Sequence, residues 1–255
     1  KVFTFDSEPS EGAIIRDYFK DASIDFESRS LCVDITGFIR PHLIFLFRYL
    51  AAKGVKKVDF LYSDPIKYKK KEKTDFSLEY IDVRQVDGCH GVHDTDTSND
   101  VLLIGAGYDH LRISDVSKNK NNSMKVQLFG FPSLQPDMYQ ENIFKAYRAE
   151  EETGHQSFID DERTLFAPAN DPFVTANVIK DFVKKLQKHN RITNLYLCPL
   201  STKAQTLGIA LYYTFECHDK PVSIIFPFCR RYARETTEGL TRIWKYTVEF
   251  NALHK

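Results

Sequence analysis

Apolar residues in this chain fall into short runs, and most runs are followed by a polar loop and then by apolar positions at helical spacing. That order predicts βα units and therefore an α/β fold with a mainly parallel, Rossmann-like sheet flanked by helices. The predicted strands are residues 2–5, 31–35, 58–62, 78–83, 101–104, 125–129, 164–167, 195–198 and 222–226. Two of them, VLLIG from Val101 and VSIIF from Val222, are apolar without alternation, as strands covered on both faces are.

Helix starts are marked by capping chemistry. Asp171 followed by Pro172 reads as an N-cap with proline in the first turn, and Val174, Val178, Ile179, Phe182, Val183 and Leu186 then recur on one face. Pro41, directly after Arg40, marks another start, and residues 43–50 are apolar on nearly every side, which predicts a deeply packed helix. Residues 138–147 predict a further amphipathic helix, and 16–19 the end of a short one. Residues 87–100 and 118–123 lack periodicity and read as loops. The acidic stretch 150–162 reads as a boundary, giving a Rossmann-like half over 1–150 and a second α/β half over 151–255 on the same or a continuous sheet.

Two segments share a layout. DITGFIRPHLIFLFRYLAAKGVKKVDFLYSDPIKY begins at Asp34 and CPLSTKAQTLGIALYYTFECHDKPVSIIFPFCRRY at Cys198. Each reads as strand end, Ser/Thr loop, cation, apolar helix, apolar strand, Pro-containing loop and Tyr. A duplicated half explains this, and so does the general similarity of any two βα units.

Ligands of open α/β sheets bind beyond the carboxyl ends of the strands, where the helices that follow point amide groups and positive dipole ends. The loops at those ends therefore supply the site candidates. Thr36, Gly37 and Arg40 offer a hydroxyl, open backbone and a guanidinium fork, or equally a cap and a surface ion pair. Gly105, Gly107 and Tyr108 form a glycine turn without the third glycine of a dinucleotide fingerprint, and a purely structural turn is the alternative. Ser201, Thr202 and Lys203 place two hydroxyls and an amine at a helix start, without the glycines of a phosphate-binding P-loop. In the loop 129–142, Phe131 and Tyr139 offer rings for stacking, or else pack on the core. Asp34, Asp109 and Glu141 are candidate acids or bases, and Asp171 is a fourth carboxylate near a strand end, but nothing in the sequence sets two of them face to face. Neither a GxSxG elbow nor an HExxH helix occurs.

Cys89, His90 and His93, with Asp94 and Asp96, crowd one loop and are competent metal ligands, although no second Cys/His pair follows at zinc-finger spacing; a solvated loop is the simpler reading, so no metal and no cofactor is expected. The lysines at 67 and 69–71 and Lys73 read as a solvated connection.

Composition narrows the partners. Lys+Arg and Asp+Glu both number 35, so the basic excess of a dedicated nucleic-acid binder is missing. The five cysteines are unpaired in number and widely spaced, which fits reduced thiols and a cytoplasmic setting. No apolar run reaches the roughly 20 residues that span a bilayer, so no membrane association is expected.

The loops DITGFIRPH and LCPLSTKAQTLG resemble the strand–Thr/Ser–Gly–Lys–helix loop of CRISPR-associated Rossmann-fold (CARF) sensor domains and their fused relatives in bacterial antiphage systems. The likeness covers two loops and the helices after them. It departs from the family pattern in having Phe38-Ile39 before Arg40, and in lacking glycine at the second turn. It implies a sensor that holds a nucleotide on Thr36, Arg40, Ser201, Thr202 and Lys203, and it leaves cleavage of that ligand open. The expectation is a binding or sensor domain for an anionic, nucleotide-like small molecule, acting on a protein partner or a sister subunit. A nucleotide or nucleoside hydrolase using the same cleft, and a non-catalytic scaffold subunit, are the alternatives.

Overall fold

A computed structural model of the chain describes residues 10–22, 24, 26, 30–68, 77–107, 109–135, 140, 163–189, 191–232 and 237–250. Its larger sheet has six strands: β4 (Ser77–Gln85), β5 (Val101–Gly105), β6 (Met124–Gly130), β7 (Thr164–Ala167), β8 (Leu195–Pro199) and β9 (Val222–Tyr232). They lie in the order β4-β9-β8-β5-β6-β7, and every neighbouring pair is parallel except β4 with β9. This is a mostly parallel, Rossmann-like α/β sheet. β5 and β8 are buried along their whole length, as unbroken apolar runs between two helix layers must be.

A second sheet of three strands was not expected from the sequence. It holds β1 (Leu31–Asp34), β2 (Lys57–Asp64) and β11 (Arg242–Glu249) in the order β1-β2-β11, with β11 antiparallel to β2. Two short strands, β3 (Lys67–Tyr68) and β10 (Thr237–Glu238), pair antiparallel beside it. The described helices are α1 (Glu11–Ala22), α2 (Arg40–Ala52), α3 (His110–Asn119), α4 (Pro172–His189) and α5 (Lys203–Glu216). Asp171 caps α4 as its sequence suggests, accepting from the amides of Phe173 and Val174 at 2.9 and 3.0 Å. Residues 2–5, 136–139 and 141–162 lie outside the described residues, and with them the first predicted strand, most of the predicted 138–147 helix and the 150–162 boundary.

The two repeated segments adopt the same path. One unit runs α1-β1-α2-β2-β3-β4 and the other α4-β8-α5-β9-β10-β11, with β1 parallel to β2 and β8 parallel to β9. Each unit then gives its last strand away: β4 pairs with β9 of the other unit, and β11 pairs with β2. β3 and β10, the strands at equivalent places, pair with each other. Three strands, β5, β6 and β7, with α3 between the first two, lie between the units and extend only the six-stranded sheet. A division near residue 150 therefore falls inside that sheet, between β6 and β7.

The core is continuous across both units. Leu43, Ile44, Phe47 and Leu50 of α2 are fully buried, as are Leu207, Ile209 and Ala210 of α5. Phe47 meets Phe215 edge to face at 6.2 Å and Phe250 at 5.1 Å, so the two central helices share one aromatic cluster. Pro227 is tolerated inside β9 because β8 pairs with β9 only as far as Ile224 in the register, so Pro227 lies beyond that ladder.

Candidate functional site

The central helices lie side by side and run the same way. Arg40 at the start of α2 reaches Ser201 just before α5, while Arg48, two turns on, lies over the ring of Tyr213 at 5.0 Å. Both N-termini therefore open at one end of the molecule, where the β1–α2 and β8–α5 loops meet. Parallel helices add their dipoles at that end and favour negative charge there.

Each helix begins with a cation. Arg40 is the first residue of α2 and Lys203 the first of α5. The Arg40 Nε donates to the Ser201 carbonyl at 2.8 Å, a contact between residues 161 positions apart. Two of the dispersed candidates are thus brought together. The Lys203 amine is held well below its ordinary value, first by desolvation and then by the positive charge of Arg40. Among the described residues no carboxylate pairs with it. Two cations share one loop junction, and no described residue supplies a counter-charge to Lys203.

Further polar groups lie around these cations. Ser201 Oγ, His42 Nδ1 and Gln205 Oε1 are buried without a hydrogen-bond partner among the described residues. The other end of the Gln205 amide donates to the Ala167 carbonyl at 3.2 Å. Burial holds the His42 imidazole below its ordinary value; the Glu11 carboxylate opposes this, and the Arg84 and Lys203 charges add to it. Glu11 is itself buried and accepts from Arg84 at 2.9 and 3.2 Å and from the Asp87 amide at 2.8 Å. This pair fastens α1 to β4, the strand lent to the other unit. His42 and Gln205 were not singled out from sequence, because each sits in a mainly apolar helix whose pattern points to packing.

Several sequence candidates are committed to local structure. Thr36 Oγ1 accepts from the Ser63 amide at 2.9 Å and ties the β1–α2 loop to β2. Thr202 caps α5, accepting from the Gln205 amide at 3.1 Å and donating to the Ala169 carbonyl at 2.5 Å. Asp34 accepts from the Thr36 amide at 2.9 Å, and Asp109 caps α3 through the Arg112 amide at 3.3 Å. Gly105 and Gly107 make room for the β8–α5 loop. A Cβ on Gly105 would sit 2.7 Å from Ser201 Oγ, and one on Gly107 would sit 2.1 Å from the Leu200 carbonyl oxygen. Gly37 differs, because a Cβ there meets nothing within 4 Å. Phe131 is about half exposed and meets Phe166 edge to face at 6.4 Å. Tyr108, Tyr139 and Glu141 lie outside the described residues.

The metal-ligand candidates do not gather. The Cys89 thiol is buried, with its pKa pushed up to about 12 by desolvation, and the Arg48 guanidinium donates to it at 3.9 Å. His93 is held by Gln85 at 2.7 Å, Ser223 at 3.1 Å and Asn194 at 3.3 Å, while His90 is exposed. Asp94 pairs with Arg191 at 2.5 Å, and Asp96 accepts from the Ser98 amide at 2.9 Å. Among the described residues no three His, Cys, Asp or Glu side chains are arranged to hold a metal ion. Nor, among them, is any helix long and apolar enough to cross a membrane.

Fold and site together define an α/β protein of Rossmann-like class, built from two interlocked units with a cationic junction at the paired helix starts. No protein-family model matches the chain, and no curated protein matches it at significant similarity.

Proposed function

We propose that the chain is a binding or sensor domain for an anionic, nucleotide-like ligand, seated where the starts of α2 and α5 lie side by side. The observation that carries this reading is Lys203: a desolvated amine beside a second cation, with no carboxylate partner among the described residues. A bound phosphate supplies the missing charge, and two neighbouring helix N-termini favour the same anion. Ser201 Oγ and His42 Nδ1, buried and without a partner among the described residues, supply further polar contacts. The resemblance of both loops to CARF sensor loops supports a nucleotide as the ligand class and antiphage defence as the setting.

The test is titration calorimetry of the purified chain against a panel of linear and cyclic nucleotides at low salt. One class binds saturably, and Arg40→Ala and Lys203→Met each weaken it by about tenfold or more, which is at least 1.4 kcal/mol. Lys203→Met leaves folding stability unchanged or slightly raised, since it removes a desolvated charge that has no acidic partner among the described residues. A panel without any binder, or variants that bind as the parent does, overturns the reading.

A further inference from the structure

His42 stands in the first turn of α2, two positions after Arg40. Charges reach it from three other elements: Glu11 of α1 draws a proton to it, while Arg84 of β4 and Lys203 of α5 repel one. Lys203 in turn feels the charge of Arg40, which is fastened to the Ser201 carbonyl at 2.8 Å. Arg40, His42 and Lys203 therefore form one cluster of bases where α2 and α5 begin, each within electrostatic range of another.

The acids around His42 are already engaged. Both Glu11 oxygens accept from Arg84, at 2.9 and 3.2 Å, and one accepts from the Asp87 amide as well. Asp87 accepts from the Gly12 amide at 3.2 Å and lies 4.0 Å from Arg84. Asp34 lines the same cleft between α1 and β1 as His42, Tyr18 and Cys32, and it accepts from the Thr36 amide at 2.9 Å. His42 thus meets a neutralised acid on one side and a cation on another. Burial, the larger effect, holds its ring uncharged, with Nδ1 unsatisfied among the described residues.

We propose that His42 is the proton-responsive member of this cluster: an anion seated at the junction offsets the charge of Lys203, His42 takes up a proton in response, and capture of the anion strengthens as pH falls. Such coupling presupposes the anion site proposed above and adds its regulation. It follows from reciprocity, since a Lys203 charge that disfavours the proton on His42 must, once offset, favour it by the same free energy. The protonated ring donates from both nitrogens, so the buried Nδ1 gains a charge-assisted donor to offer. In the free protein His42 releases its proton below the ordinary value of 6.5, and with an anion bound it does so at higher pH. Between those two values the bound state holds more protons, so affinity falls as pH rises through that window.

The test is calorimetric titration of the full chain with sodium sulfate, in paired buffers of different ionisation enthalpy, at about pH 6, 7 and 8. Sulfate keeps both its charges over that range, so heat that depends on the buffer counts protons taken up by the protein. The parent takes up protons on binding, and its affinity falls with rising pH by no more than about tenfold per pH unit, the limit for one proton. His42→Gln, which cannot carry the charge, binds more weakly at the lowest pH and loses most of the pH dependence. Imidazole NMR of the parent gives a second reading that needs no variant at His42: its signal titrates at higher pH with sulfate than without. Lys203→Met raises the His42 titration in the absence of sulfate and removes the shift on adding it. Heats independent of the buffer, or a His42 titration that sulfate leaves in place, overturn the coupling while the anion site stands. Undiminished uptake in His42→Gln moves the protons to Lys203 and overturns the role of His42. Absence of sulfate binding, or binding untouched by Arg40→Ala and Lys203→Met, overturns the coupling too, and the nucleotide panel then decides separately whether the anion site falls with it.

Discussion

At α5, Thr202 caps the helix with its hydroxyl and Lys203 follows bare; at α2, Ile39 supplies no capping oxygen, Pro41 follows, and Arg40 is fastened to the opposite loop. The same two positions therefore do different work. One cation closes the gap between the units, and the other stays desolvated with no carboxylate partner among the described residues. A repeated layout at the level of elements does not carry a repeated role at the level of side chains. The helix-on-helix contacts make the same point. In the second unit a glycine of α5, Gly208, receives Thr175 and the Pro172 carbonyl of α4, whereas in the first it is α1 that supplies a glycine, Gly12, against Phe45 of α2.

That contrast can be broken by filling both glycines. A Cβ at Gly208 would lie 2.5 Å from a backbone oxygen and 2.6 Å from the Thr175 Cβ, which cannot move without moving α4. Gly208→Ala is expected to cost about 3 kcal/mol net of any gain in helix propensity. In a chain of this length that lowers the melting midpoint by roughly 6–12 °C, read by calorimetry. At Gly12 the nearest atoms are the ends of the Asp87, Phe45 and Arg16 side chains, so Gly12→Ala costs no more than about 1 kcal/mol. Equal losses at the two sites would show that the contacts are not packed differently.

Glu11→Gln comes next in size. It keeps the shape but removes the charge that faces Arg84, whose side chain is 38% exposed and can turn to water. The expected loss is about 2 kcal/mol by urea denaturation, because the buried hydrogen bonds to Arg84 and the Asp87 amide weaken together. The second unit shows no counterpart of this pair among the described residues, so the loss measures what fastens β4 to the first unit.

The smallest effect is a pH dependence. The unfolded chain keeps the Lys203 proton up to about its ordinary value of 10.5, while the folded chain releases it at lower pH. The unfolded state therefore binds more protons between those two values, and stability rises with pH across that window. Denaturation of the parent and of Lys203→Met at pH 7 and pH 9.5 isolates this contribution: the parent gains on the variant as pH rises. A parent that loses ground instead would mean that Lys203 has an acidic partner.

Much of the fold is legible in the residues. VLLIG at β5 and the apolar stretch of β8 could hardly be anything but buried strands, and Asp171-Pro172 marks the start of α4. β11 is not legible in the same way, since half of the positions in Arg242–Glu249 are exposed and charges are scattered among its apolar residues. Nor is the exchange of β4 and β11, because periodicity shows that a run is a strand without showing its partner. The site is legible in its cations and illegible in its hydroxyls. Thr36 and Thr202 have the chemistry of ligand contacts and of caps alike, and only the coordinates show the Ser63 and Gln205 amides that occupy them. His42 and Gln205 are hidden for the opposite reason, sitting in helices whose apolar pattern points to packing alone.

The strand exchange bears on how this chain can be taken apart. A cut in the exposed loop 95–99 leaves one fragment with β1 through β4 and another with β5 through β11. The first then has no β11 to border β2, and the second has no β4 to border β9. Each piece exposes the edge that the other was made to cover, so the halves are natural complements. Recovering the native state from them is a bimolecular reaction, governed by concentration and not by either piece's own capacity to fold.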